Sequence, residues 1–162
     1  MIPAYVSLGS NMQREQRIRE AVTGLRRRFG EIELSPVYDT AAVGFDGSNF
    51  LNLVARFDTD LEVDDIVQAF HQIEARLGRD RSLPKFASRP IDLDLLLYGD
   101  AILDRPGIRI PRPEILHHAF VLKPLQDLAP NLRHPENGRS YAELWQEMEP
   151  TASWLELFPM DL

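Results

Sequence analysis

The chain has 162 residues, 44% of them hydrophobic and 27% charged, with a formal net charge of −7 and no cysteine. That length suits one domain with a substantial core, here the whole span 1–162. The charge argues against a general nucleic-acid binder, which carries a basic footprint, and the absence of cysteine excludes disulfides, thiol catalysis and a Cys-zinc site. No apolar run approaches the roughly 20 residues of a membrane span, and the N-terminus lacks the charged start and long apolar segment of a signal peptide. A cytoplasmic protein without a membrane partner is expected.

Taken in order, Tyr5 to Leu8 reads as a short strand ending in a turn at Gly9-Ser10-Asn11. Ile18, Val22, Leu25 and Phe29 recur at helical spacing, so a helix follows and stops at Gly30. Arg26, Arg27 and Arg28 lie in its last turn, where cations favour the helix dipole. Ile32 and Leu34 open a second strand that runs past Pro36 to Tyr38. A glycine-containing loop from Thr40 to Ser48 leads to a third strand, in which Leu51, Leu53, Ala55 and Phe57 alternate with Asn52, Val54 and Arg56. Asn52 then projects from the face opposite the leucines.

A second helix is expected from Leu61 to Leu77, with Ile66, Val67, Phe70, Ile73 and Leu77 on its apolar stripe. Glu74 falls on or beside that stripe, where a carboxylate is costly to bury alone. It either reaches the rim or binds something. Arg79 to Arg89 follows as a cationic loop with three arginines and a lysine against one aspartate. Next comes Arg89-Pro-Ile-Asp-Leu-Asp-Leu-Leu-Leu-Tyr98, in which Ile91, Leu93, Leu95 and Leu97 alternate as one core-facing side of a strand. Asp92 and Asp94 share the other side. Beyond it, Ile102 to Ile108 suggests a hairpin, Ile110 to Pro113 a Pro-rich connection, Phe120 to Leu128 and Tyr141 to Met148 two helices, and Thr151 to Leu162 an ambiguous apolar tail.

Strand, helix, strand, strand, helix, strand is the ferredoxin-like βαββαβ order, an α+β fold with an antiparallel sheet, helices on one face and here a decorated C-terminal extension. Two carboxylates on one rigid strand repel unless a cation lies between them. Mg²⁺ uses one or two carboxylates plus phosphate oxygens, and arginines suit phosphate forks. A solvated strand face is the competing reading of the bare Asp pair, and a flexible solvated loop that of the arginines. No Gly-x-x-x-x-Gly-Lys-Ser/Thr loop is present, so a P-loop enzyme is excluded.

Phe86-Ala-Ser-Arg-Pro-Ile-Asp-Leu-Asp-Leu-Leu-Leu97 resembles the signature of the 6-hydroxymethyl-7,8-dihydropterin pyrophosphokinase family. The likeness extends through Ala4 to Asn11, Val37 to Thr40, Phe50 to Asn52, Ile73-Glu74 and Phe120 to Leu125. The resemblance implies pyrophosphate transfer from ATP to the hydroxymethyl group of the reduced pterin, with release of AMP, in folate biosynthesis. It implies two Mg²⁺ ions held by Asp92 and Asp94, with Arg79 and Arg89 acting on the transferring phosphates. Asn52 would bond the pterin edge, Thr40 and Val43 would line its pocket, and Phe50 and Phe120 would stack on the ring. His71, Glu74, Arg81, Arg89, Leu95, Arg109 and Arg112 would serve ATP. A monomer is the default expectation.

The chain departs from the family pattern in places. Ser88-Arg89-Pro90 stands where Pro-Arg-Thr is usual, Ala41-Ala42 where a proline is usual, and His71 where glutamine is frequent. Arg112 and His118 stand where the family usually has histidine and arginine. This exchange leaves open a paralogue that binds pterin or nucleotide without efficient transfer. For His117-His118 the residues themselves favour a surface helix start over a metal site.

Overall fold

A computed structural model of the chain describes residues 1–79 and 90–162. The strands are β1 (Ile2–Ser10), β2 (Glu33–Leu34), β3 (Tyr38–Thr40), β4 (Phe50–Thr59), β5 (Asp92–Tyr98), β6 (Leu103–Arg105), β7 (Ile108–Ile110) and β8 (Leu155–Leu157). The helices are α1 (Arg14–Phe29), α2 (Val63–Arg76), α3 (Ala119–Leu128) and α4 (Tyr141–Met148). The main sheet is antiparallel in the order β5-β1-β4-β3-β8, with β2 also paired to β4. β6 and β7 form the expected hairpin beside it. The expected loop carrying Arg81 and Arg89 lies outside the described residues.

Each α1 and α2 residue facing the sheet follows the helical period. Ile18, Ala21, Val22 and Leu25 of α1, and Ile66, Phe70 and Ile73 of α2, are buried against Val6, Leu8, Leu53, Phe57, Leu93 and Leu95. Phe57 stacks on Phe29 at 4.1 Å and meets Phe70 edge-on at 6.3 Å. Gly30 ends α1 at φ 81°, a left-handed conformation that suits glycine at a helix terminus.

Beyond the end of β1, three expectations need correction. The segment from Ile32 to Tyr38 is two strands rather than one, because Pro36 has no N–H to give the ladder. Ser35 stands in for it, bonding Val54 through its backbone N–H and accepting the Val54 N–H on its Oγ, both at 2.9 Å. β1 also continues through Ser10 instead of turning at Gly9.

The second correction concerns β5. Tyr5 pairs with Leu97 and Val6 with Leu95, so the register shifts and Leu96 is the extra residue of a bulge. Leu93 and Leu95 face α1 and α2, whereas Leu96 and Leu97 both join the opposite core.

That opposite core is the third correction. α3 and α4 cover part of the face opposite α1 and α2, burying Val121, Leu122, Leu125, Tyr141 and Trp145 against Tyr5, Val54, Leu96 and Leu97. Helices therefore lie on both faces. α4 starts at Ser140, whose Oγ accepts the Glu143 N–H at 3.2 Å, a cap that the Ser-x-x-Glu spacing encodes. The apolar tail supplies β8, which pairs with β3, and Phe158 N–H bonds Val37 O at 2.8 Å. No helix of the described residues is long and apolar enough to cross a membrane.

His134, between α3 and α4, is 2% exposed, accepts the Glu136 N–H on Nδ1 at 3.2 Å and meets Tyr141 edge-on. Burial lowers its pKa below the usual histidine value. The native state then resists a proton that the unfolded state takes below about pH 6.5, so stability present above that pH is lost as the pH falls. His134→Gln is expected to flatten the fall in thermal midpoint between about pH 7 and about pH 5. An unchanged pH slope in differential scanning calorimetry would remove His134 from the acid response.

Candidate functional site

The uncovered end of the second face is organised by register. Asp92 in β5 lies opposite Gly9 in β1, Gly9 lies opposite Asn52 in β4, and Asn52 lies opposite Tyr38 in β3. Directly opposed residues share a face, so these four form one row across the sheet. Asp94, opposite Ser7, belongs to the next row on the same face.

A cavity opens over these rows, bounded by Asp92, Asp94, Asn52, Thr40, Phe50 and Phe120. Val43, Arg112, Glu114 and His118 also reach it. The strands supply the polar floor, the loop after β3 supplies one wall, and the turn Pro113–Leu116 with the start of α3 supplies the other.

Asn52 is 8% exposed, and its Nδ2 donates to Thr40 Oγ1 at 2.6 Å. Its carbonyl edge lies over Gly9, where an added Cβ would come within 2.8 Å of Asn52 Oδ1. Gly9 is therefore the floor that gives the amide its position, a role that reading it as a turn residue missed. A lone glycine within a strand is the signal that could have found it. Gly9→Ala is expected to tilt the Asn52 amide and raise the KM of a ligand bound against it several-fold with a smaller change in kcat, a separation that steady-state kinetics resolves.

Each aspartate is met by an arginine. Arg79 NH1 donates to Asp92 Oδ1 at 2.9 Å and to the Ile91 carbonyl at 2.9 Å. Arg112 NH2 lies 3.4 Å from Asp94 Oδ1, while its Nε donates in a short contact to Glu114 Oε2. Burial and the adjoining Asp92 charge push the Asp94 carboxyl up to about 7, against the lowering influence of Arg112. Burial penalises the carboxylate form, and two neighbouring carboxylates resist ionising together.

Glu74 is 1% exposed and resolves the question posed by its place on an apolar stripe. Its Oε2 accepts the Leu93 N–H at 2.8 Å and lies 3.5 Å from Arg79 NH1. The carboxylate thus binds the outward edge of β5 and the arginine that meets Asp92.

The remaining residues divide. Phe50 and Phe120 both border the cavity, and Phe120 stacks on His118 at 4.9 Å. His118 lies at the N-cap of α3. Leu95 faces the α1/α2 core, His71 is exposed on α2, and Arg109 is exposed on β7. Arg81 and Arg89 lie outside the described residues.

Among the described residues, no group of three or more His, Cys, Asp or Glu could hold a metal by itself. Two oxygen-donor carboxylates on a rigid strand nevertheless fit a hard cation whose other ligands come from a polyphosphate and water. They do not fit a closed structural metal site, which needs about four protein ligands.

The family model described as 7,8-dihydro-6-hydroxymethylpterin-pyrophosphokinase (HPPK) matches residues 5–130. A 2-amino-4-hydroxy-6-hydroxymethyldihydropteridine pyrophosphokinase of Pseudomonas aeruginosa is 40% identical over 144 residues, covering 86% of this chain and 88% of that protein. The protein of the same name from Aquifex aeolicus is 35% identical over 138 residues, covering 83% and 85%. Among solved structures, a Plasmodium falciparum HPPK-DHPS triple mutant with SDX-DHP superposes with a TM-score of 0.72 at 14% identity, covering 90% of this chain. This chain spans 44% of that longer one, so the superposition speaks to the fold alone. With the family model and both bacterial relatives matching most of its length, the chain belongs to the 7,8-dihydro-6-hydroxymethylpterin-pyrophosphokinase family.

Proposed function

We propose that the chain transfers the pyrophosphoryl group of ATP to the hydroxymethyl oxygen of 6-hydroxymethyl-7,8-dihydropterin, releasing AMP, in folate biosynthesis. The observation that carries this reading is the row in which Gly9 alone separates Asp92 from Asn52, within one cavity. It puts a carboxylate pair suited to a cation–polyphosphate complex one strand from an amide suited to a heterocycle edge.

In this reading Asn52 bonds the pterin edge and Thr40 fixes the amide orientation, supported by their 2.6 Å hydrogen bond. Phe50 and Phe120 stack on the two ring faces, and Val43 closes the slot. Asp92 and Asp94 would hold two Mg²⁺ ions, which would supply positive charge to neutralise the polyphosphate. Arg79 and Arg89 stabilise charge on the transferring group. Arg81, Arg109, Arg112, His71, Glu74 and Leu95 form the nucleotide side, with Leu95 contributing through its backbone, because its side chain lies in the helix-side core.

The hydroxymethyl oxygen loses its proton to solvent and bonds to the β-phosphorus, the bond from that phosphorus to the α–β bridging oxygen breaks, and AMP leaves with that oxygen. The protein's share is positioning and electrostatics, as in other phosphoryl transfers.

The strand order β5-β1-β4-β3, with α1 and α2 on one face, supports a ferredoxin-like core to which α3, α4 and β8 form a C-terminal extension. One domain over 1–162, a cytoplasmic location and a monomer complete the proposal. The test is product analysis with ATP, Mg²⁺ and the pterin. Pterin-dependent AMP supports it, whereas ADP, free phosphate or no turnover overturns it.

A further inference from the structure

The two aspartates are not merely neutralised; each is clasped in the same way. Arg79 lies between Asp92 at 2.9 Å and Glu74 at 3.5 Å. Arg112 lies between Asp94 at 3.4 Å and Glu114, which holds its Nε. In both clasps a guanidinium bridges a strand aspartate and a glutamate outside the pair. Glu74 comes from α2 and Glu114 from the turn after β7, so unrelated elements build the same arrangement twice.

We propose that Arg79 and Arg112 are built-in counter-cations that guard the aspartate pair, and that Glu74 and Glu114 are positioning residues that retain each arginine when its aspartate is taken by metal. The inference rests on the reading of Asp92 and Asp94 as metal ligands. A divalent cation arriving alone must displace two arginines that gain no new partner. A nucleotide polyphosphate gives both guanidiniums anionic oxygens at the moment the aspartates are needed. The glutamates make the exchange a local turn of each side chain, not a departure from the site. The consequence is that the pair is closed to free cations and opens to a cation that comes with its nucleotide.

Arg112 is the more informative of the two. Its guanidinium sets a fixed positive charge beside the Asp94 carboxylate at every physiological pH, which a histidine would not.

The experiment uses Mn²⁺ alone on the full, nucleotide-free protein, counting free ion by electron paramagnetic resonance. Arg112→Gln is expected to tighten Mn²⁺ binding by about tenfold, since a charge pair at ~4 Å is worth several times thermal energy near a protein surface. Arg112→His, assayed at about pH 8 where histidine is neutral, is the second variant and should tighten binding in the same sense. Arg105→Gln makes the same change in net charge away from the cavity, where Arg105 pairs with Asp64 at 3.3 Å, and should leave binding unaltered. If both Arg112 variants bind Mn²⁺ no better than Arg105→Gln, the guard is overturned while the metal assignment stands. In an Asp94→Asn background the gain should vanish. A gain that persists there puts the cation elsewhere and overturns the metal assignment itself.

Discussion

Asp92→Asn and Asp94→Asn should each lower metal-dependent AMP formation by roughly 10³-fold or more, because pre-organised charge is the main resource of a phosphoryl-transfer site. Each substitution keeps the shape of the side chain and removes one negative charge. The new amide would keep the place of the carboxylate it replaces, opposite Gly9 in Asp92→Asn and opposite Ser7 in Asp94→Asn, so the row and the cavity over it remain. Pterin affinity measured by calorimetry should therefore change by less than about threefold, a split between chemistry and ground-state binding. Near-normal turnover in either variant would end the metal assignment. Lost pterin binding together with lost turnover would mean that the aspartates shape the cavity instead of serving the reaction.

Glu74→Ala has the largest expected effect on stability, about 3 kcal/mol or more, because it leaves buried partners of a charge without their acceptor. The Leu93 N–H loses the oxygen now 2.8 Å away, and Arg79 loses one of the two carboxylates it meets among the described residues. Glu74→Gln separates the two losses. The amide oxygen still accepts from Leu93 but carries no charge for Arg79, so about half the destabilisation should remain. Urea unfolding measures both. A cost under about 1 kcal/mol for Glu74→Ala would show that β5 is held by its other neighbours, since exposed pairs contribute that little.

The elements were most legible where a period ran unbroken. The stripe Ile18, Val22, Leu25 located α1, and the alternation through Leu51, Leu53 and Ala55 put Asn52 on the right face of β4. Tyr141–Met148 matches its expected span because Ser140 and Glu143 encode the cap. Asp92 and Asp94 were legible for the same reason as Asn52, since alternation within one strand decides sidedness without any tertiary knowledge.

What the sequence did not disclose depends on pairing between strands. Leu97 continued the pattern of Leu93 and Leu95, yet the bulge at Leu96 sends it to the other core. Gly9 owes its importance to lying under Asn52, and Glu114 to lying beside Arg112, neither of which a one-dimensional period records. The second helical layer was missed because the stripes of α3 and α4 report burial without naming the sheet face that buries them.

The bulge in β5 separates two kinds of tolerance along one strand. Before it, Asp92 and Asp94 are locked to Gly9 and Ser7 by the ladder; after it, Leu96 and Leu97 answer to α3 and α4. Repacking of the α3/α4 layer is absorbed by the half of the strand that already departs from regular pleating. Sequence drift in that layer can accumulate while the carboxylates keep their bearing. A one-residue deletion ahead of the bulge has no such refuge, because it would turn both aspartates toward the α1/α2 core and leave their face apolar.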